Sequence, residues 1–128
     1  IGQWTAPTAI RAVAYNDDND TFYGNNWSTD ITEFDRSGNS VSSFAVGTFM
    51  SYYGFAYDNL TAGNPYLWGF SQSAGGTDLV LMTLPDGAET GFSYDVNQDI
   101  GGTGLLAGGL CLHTDTRGGH ILIGNVQN

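Results

Sequence analysis

Lysine is absent from this chain, and its three arginines stand against 13 acidic residues, giving a net charge of −10. Nucleic-acid recognition and binding to anionic membranes both need clustered cations, which the chain does not have. Cysteine occurs once, as Cys111 in GGLCLH. One thiol excludes an internal disulfide and leaves a metal centre without sulfur partners, so Cys111 reads as a small hydrophobe. No apolar run approaches the ~20 residues of a membrane-spanning helix, so no membrane insertion is expected. No secretory leader is visible, and the IGQWTAP start reads as a mature or trimmed terminus. G-x-S-x-G, H-E-x-x-H and phosphate-cradling glycine loops are missing, and the chain is read as a non-enzyme. A helical signal is missing too: Gly, Asn and β-branched residues interrupt every window of about 11 residues.

What the chain does have is turn and strand material. Glycine numbers 19, hydrophobic residues reach 41% and charged residues only 12%, so polarity is carried by amides and hydroxyls. Short alternating or aromatic runs bounded by Asx, Gly and Pro are predicted as strands over 10–16, 21–27, 31–36, 40–47, 52–58, 66–72, 77–84, 88–96, 106–113 and 120–127. Arg36-Ser37-Gly38-Asn39 and Pro85-Asp86-Gly87 have hairpin-turn chemistry: Pro presets φ, and Gly and Asn tolerate positive φ.

These strands repeat as a group. AVAYNDDNDTFYGNNW and GFAYDNLTAGNPYLWGFSQ both run through Ala-Tyr into an Asx-rich turn and out into an aromatic strand with a glycine. Tyr15, Tyr57 and His113 are read as matching positions, as are Gly24, Gly69 and Gly124. The spacing of roughly 45–55 residues is that of a four-stranded propeller blade. The chain is therefore read as one all-β domain (1–128) of four-stranded antiparallel blades. It is a partial β-propeller of about two and a half blades: unit 1 over 1–49, unit 2 over 50–103 and a half unit over 104–128. A β-sandwich is the alternative. Ala12, Ala14, Gly54, Ala56, Gly108 and Gly109 would let neighbouring blades approach closely.

The segments IRAVAYNDDNDTFYGNNWSTDITEFDRSG, YYGFAYDN…NPYLWGFSQ and GLLAGGL…HILIGNVQN resemble a propeller-like repeat region of large secreted, surface-associated multidomain proteins of Bacteroidetes-type bacteria. The resemblance spans about residues 4–127. It implies a propeller fold and a secreted or cell-surface location. The pattern departs in the third unit, which stops after its first hairpin, whereas closed propellers have at least four blades. A fragment of a larger chain, a ring of several copies and an end-to-end filament are the expected explanations. HILIGNVQ is hydrophobic and lacks the Lys or Pro that protects an edge strand, so it invites pairing with another chain. The functional expectation is an extracellular structural or adhesive module acting through its surface and strand edges, with self-association or the rest of a larger chain as partner. The alternative is a carbohydrate-binding module with calcium-ordered loops.

Candidate sites follow from residue chemistry. Asp17, Asp18 and Asp20 in NDDND form the densest oxygen cluster, and calcium takes six to eight oxygen ligands. The plainer reading is a solvated Asx turn. Trp27, Trp68, Tyr52 and Tyr53, with Trp4, offer stacking faces for sugar rings, although large aromatics more often fill cores. Asn19, Asn26 and Asn59 head N-x-S/T sequons for glycosylation. His113, His120 and Asp115 form a weak two-His, one-carboxylate candidate, since they flank a flexible turn. Asp30 with Asp78, and Asp35 with Asp86, match across units, which argues for turn roles.

Overall fold

The structure is a computed structural model describing residues 3, 5–63, 65–72, 76–101 and 104–127. Among the described residues, ten strands form three antiparallel sheets in chain order. The first sheet contains β1 (Ala12–Asn16), β2 (Thr21–Asn25), β3 (Ile31–Asp35) and β4 (Ser40–Phe44). The second contains β5 (Tyr52–Asp58), β6 (Tyr66–Ser71), β7 (Asp78–Thr83) and β8 (Glu89–Asp95). The third is the hairpin of β9 (Leu106–Thr114) and β10 (His120–Gln127). Each four-stranded sheet is a simple meander, as expected where short strands are joined by tight turns.

The first strands of the sheets lie side by side, β1 against β5 and β5 against β9. Because side chains alternate across a sheet, each sheet has a front and a back. In the first sheet, Ala12, Ala14, Tyr23 and Ile31 share the back and pack with Tyr52, Phe55, Leu67 and Met82 from the front of the second. The back of the second sheet meets the third: a Cβ on Gly54 would come within 2.6–2.9 Å of the backbone of Gly108, Gly109 and Leu110. Phe70 on that back lies against Gly124. The second sheet is thus covered on both faces. Its front has room for the fully buried Tyr52 ring only because Gly69 carries no side chain beneath it.

Cross-strand register defines which residues are equivalent. Val13 pairs with Gly24, Phe55 with Gly69 and Leu110 with Gly124. The glycine match across the units therefore holds. Two residues after each of these come Tyr15, Tyr57 and Leu112, so Leu112, not His113, takes the tyrosine position in the third sheet. The one-residue slip arises at a bulge: Gly108 and Gly109 oppose Asn125 where the β9–β10 register shifts. His113 is instead the counterpart of Asn16 and Asp58.

Among the described residues, one helical turn lies outside the all-strand expectation. Val96–Ile100 (α1) starts at Asp95, whose carboxylate accepts from the Asn97 N–H, and stops at Gly101 with φ 65°. Five residues are too few to display a helical period, so capping alone marks this element.

Candidate functional site

The repeated Asx turns are the best-defined polar geometry. Asn16 Oδ1 accepts the N–H groups of Asp18 and Asn19 at 3.1 and 3.3 Å. Asp58 Oδ1 accepts those of Leu60 and Thr61, both at 2.9 Å. Both side chains are buried. The second Asp58 oxygen accepts from the Trp68 indole N–H at 2.9 Å. Burial pushes the Asp58 carboxyl up, but hydrogen bonds from Thr61, Trp68 and Leu60 outweigh it, so the group sits below the usual carboxylate range. The third hairpin uses other chemistry. Asp115 Oδ1 accepts from Arg117 and Gly119, repeating the way Asp35 Oδ1 accepts from Ser37 and Asn39 in the β3–β4 turn.

The structure divides the three candidate metal ligands between two sets of partners, Asp17 and Asp18 on one side and Asp20 on the other. The Asn59 amide donates to Asp17 at 3.1 Å and to Asp18 at 3.0 Å, and the Tyr57 hydroxyl donates to Asp18 at 2.7 Å. These bonds tie the first turn of sheet one to that of sheet two. Tyr57 and Asn59 hold the Asp18 carboxyl below its ordinary value. Asp20 points elsewhere, to the Tyr15 hydroxyl at 2.7 Å and Arg36 Nε at 2.6 Å, and these lower its carboxyl too. Among the described residues, no three His, Cys, Asp or Glu side chains gather as a metal-ion set. A cleft of about 370 Å³ opens at this end, lined by Asp17, Tyr57, Asn59, Leu112 and His113 among others.

The stacking candidates divide. Tyr52 is a correction: it is fully buried in the core against Phe55, because Gly69 leaves space for it, and so offers no face to a ligand. Trp68 is half-buried, its indole bonded to Asp58 and its ring edge-on to Phe92. Trp27 is 40% exposed, sits at φ 64°, meets Tyr53 edge-on and carries the Arg11 guanidinium 4.6 Å over its ring. Trp4 lies outside the described residues.

His113 pairs with Ile121, and His120 is the next residue along, so the two imidazoles project from opposite faces of the hairpin. Asp115 is occupied with its own turn. Of the sequons, Asn19 is exposed in its turn, Asn26 is half-buried, and the Asn59 amide already bridges Asp17 and Asp18.

Two features escaped the sequence reading. Glu33 is buried, its two oxygens accepting from the hydroxyls of Thr21 at 2.7 Å and Ser42 at 2.8 Å. Burial and the neighbouring Glu33 push the Tyr23 hydroxyl up to about 12. The second is a groove of about 200 Å³ across the unpaired sides of β1, β5 and β9, where Val13, Phe55 and Leu110 recur at one level and Tyr15, Tyr57 and Leu112 at the next. Both depend on which strands become neighbours, which no local pattern states.

No protein-family model matches the chain, and no curated protein or solved structure matches it either.

Proposed function

We propose that the protein is a non-enzymatic, extracellular structural or adhesive module, a partial propeller that works by presenting its end faces and outer strand edge to partners, copies of itself included. Three sheets in chain order, packed front to back with their first strands adjacent, support the propeller reading over a sandwich of two facing sheets. One observation carries the functional reading: apolar side chains stand exposed at both ends of the stack. Val13 and Tyr15 are 49% and 44% exposed at one end, and Ile121 and Ile123 are 40% and 52% exposed at the other. Apolar patches of this kind mark association surfaces. Sedimentation across a range of protein concentrations tests this. Mass that rises with concentration supports the reading, and a stable monomer at every concentration contradicts self-association.

A carbohydrate-binding role is the second reading, and exposed Trp27 beside Tyr53 favours it, since flat aromatic faces receive the apolar side of a sugar ring. Calcium would then order the Asp17–Asp18 turn. A glycan array with and without calcium decides it, with a melting curve in EDTA alongside. Silence on the array and an unchanged Tm remove both parts.

A further inference from the structure

We infer that Arg11, Trp27 and Tyr53 form a binding site for a carboxylate-bearing sugar, with the Arg11 guanidinium holding a uronate carboxyl beside the exposed Trp27 ring. The inference rests on the carbohydrate reading above and names the sugar class and the residue that selects it.

The three side chains come together where the first two sheets meet. Trp27 stands in the turn between β2 and β3 and bridges to Tyr52 at the start of β5. Arg11 precedes β1, its backbone N–H bonded to the Asn25 carbonyl at 2.7 Å. Its guanidinium lies 4.6 Å from the centre of the Trp27 ring and 5.3 Å from that of Tyr53. The other two arginines pair with carboxylates, Arg36 with Asp20 and Arg117 with Asp115, whereas Arg11 has no carboxylate partner among the described residues. Its Nη1 donates to the Tyr53 hydroxyl at a long 3.5 Å. A guanidinium carries five N–H donors in a rigid fork, and stacking on ring faces leaves most of that fork open.

The chain holds this arrangement against backbone strain. Of the three non-glycine residues with positive φ among those described, two are here: Trp27 at 64° and Ser51, the neighbour of Tyr52, at 59°. Glycine would relieve the strain at position 27, yet a large ring stands there. Strain of this kind gathers at ligand sites. The Trp27 carbonyl is fixed twice, by the Tyr52 N–H at 3.1 Å and by the amide of fully buried Asn25 at 3.2 Å. Asn25 Oδ1 is left buried with no partner among the described residues, a further cost to stability. Tyr53 is the extra residue of the bulge between Tyr52 and Gly54, and bulges re-aim side chains beside functional sites.

The ligand chemistry follows from these groups. The Trp27 ring, 40% exposed, receives the apolar face of a sugar ring, and the guanidinium fork matches a carboxylate. One unpaired guanidinium suits a single negative charge. A phosphate dianion or a densely sulfated chain would be repelled by a protein of net charge −10 that has no lysine. Asn26 and Ser28, on either side of Trp27 in the turn, make no side-chain hydrogen bond among the described residues and are free to meet sugar hydroxyls.

Isothermal titration calorimetry tests this with two probes of one carboxyl each, glucuronosyl-xylotriose and methyl galacturonoside, compared with their methyl esters. Buffers contain EDTA, so that calcium does not bridge the acidic protein to the acid, and salt at about 0.15 M to screen its net charge. At least one acid is expected to bind about tenfold or more tightly than its ester, the scale of hydrogen bonds to a charged group. Arg11→Gln should make acid and ester equal. Trp27→Gly should weaken both while the fold survives, since glycine accepts φ 64°; circular dichroism melts confirm folding. Equal binding of acid and ester by the wild type, or a preference that survives Arg11→Gln, overturns the inference while sugar binding stands. If neither probe binds but neutral glycans do on the array, the inference again falls alone. No binding of either probe together with a silent array ends both.

Discussion

Asn16 and Asp58 occupy the same position in successive sheets, and each gathers two consecutive turn N–H groups on one side-chain oxygen. This pair explains why the chain carries Ala-Tyr-Asx twice. A tight turn leaves consecutive N–H groups with no strand carbonyl opposite them, and a short Asx side chain satisfies them locally.

Asp58→Ala should therefore destabilise the fold by about 2–3 kcal/mol, the range for hydrogen bonds to a charged group plus the unsatisfied donors left behind. Chemical denaturation at pH 7 measures it. The folded carboxyl lies below its unfolded value, so its stabilisation is present above roughly pH 4 and is lost as pH falls through the folded value. Asp58→Asn should remove that part of the acid dependence. An unchanged acid limb would refute the assignment.

Asp78 and Asp95 stand directly opposite each other across β7 and β8. Burial and then the Asp95 charge raise the Asp78 carboxyl above its ordinary value. The folded state therefore holds this proton longer than the unfolded state, and stability is lost as pH rises from about 4 through the raised value. Asp78→Asn should stabilise the protein by ~0.5–1 kcal/mol at pH 7, the scale of a like-charge cross-strand pair, with the gain vanishing in acid. Melting temperatures at pH 7 and pH 3 check it.

Gly54→Ala should cost about 1–3 kcal/mol, because the added methyl meets backbone on β9 that cannot move independently. Gly109→Ala, at the equivalent position of the third sheet, should cost much less in dilute solution, where only the Asn125 side chain adjusts. Equal losses at the two positions, measured by urea denaturation, would contradict the close cover of β9 over Gly54.

Association should strengthen with salt. Copies carrying −10 each repel at long range, while Val13, Ile121 and Ile123, exposed at the ends of the stack, are apolar. Raising ionic strength from about 0.01 to 0.15 M shortens the screening length from roughly 30 to 8 Å, which removes repulsion and leaves the contact. Light scattering follows this; dissociation on adding salt would point to ionic contacts instead.

Much of this fold was legible because strand and turn signals are local. All ten strands fall within or close to the segments bounded by Asx, Gly and Pro, and Gly24, Gly69 and Gly124 mark the same level in each sheet. What lay hidden depends on partners distant in sequence. The Gly108–Gly109 bulge shifted the apparent match from Leu112 to His113, and a bulge is set by the opposing strand. Tyr52 read as a surface ring because nothing local reveals that Gly69 makes room for it. NDDND read as one ligand cluster, whereas Tyr57 and Asn59 take Asp18 and Arg36 takes Asp20. The five-residue α1 escaped because a single turn has no period to see.

Sedimentation velocity over a series of protein concentrations, run with reductant, tests the association claim most directly. Mass that rises with concentration is the predicted result, and a monomer at every concentration, in low and in physiological salt, would contradict it.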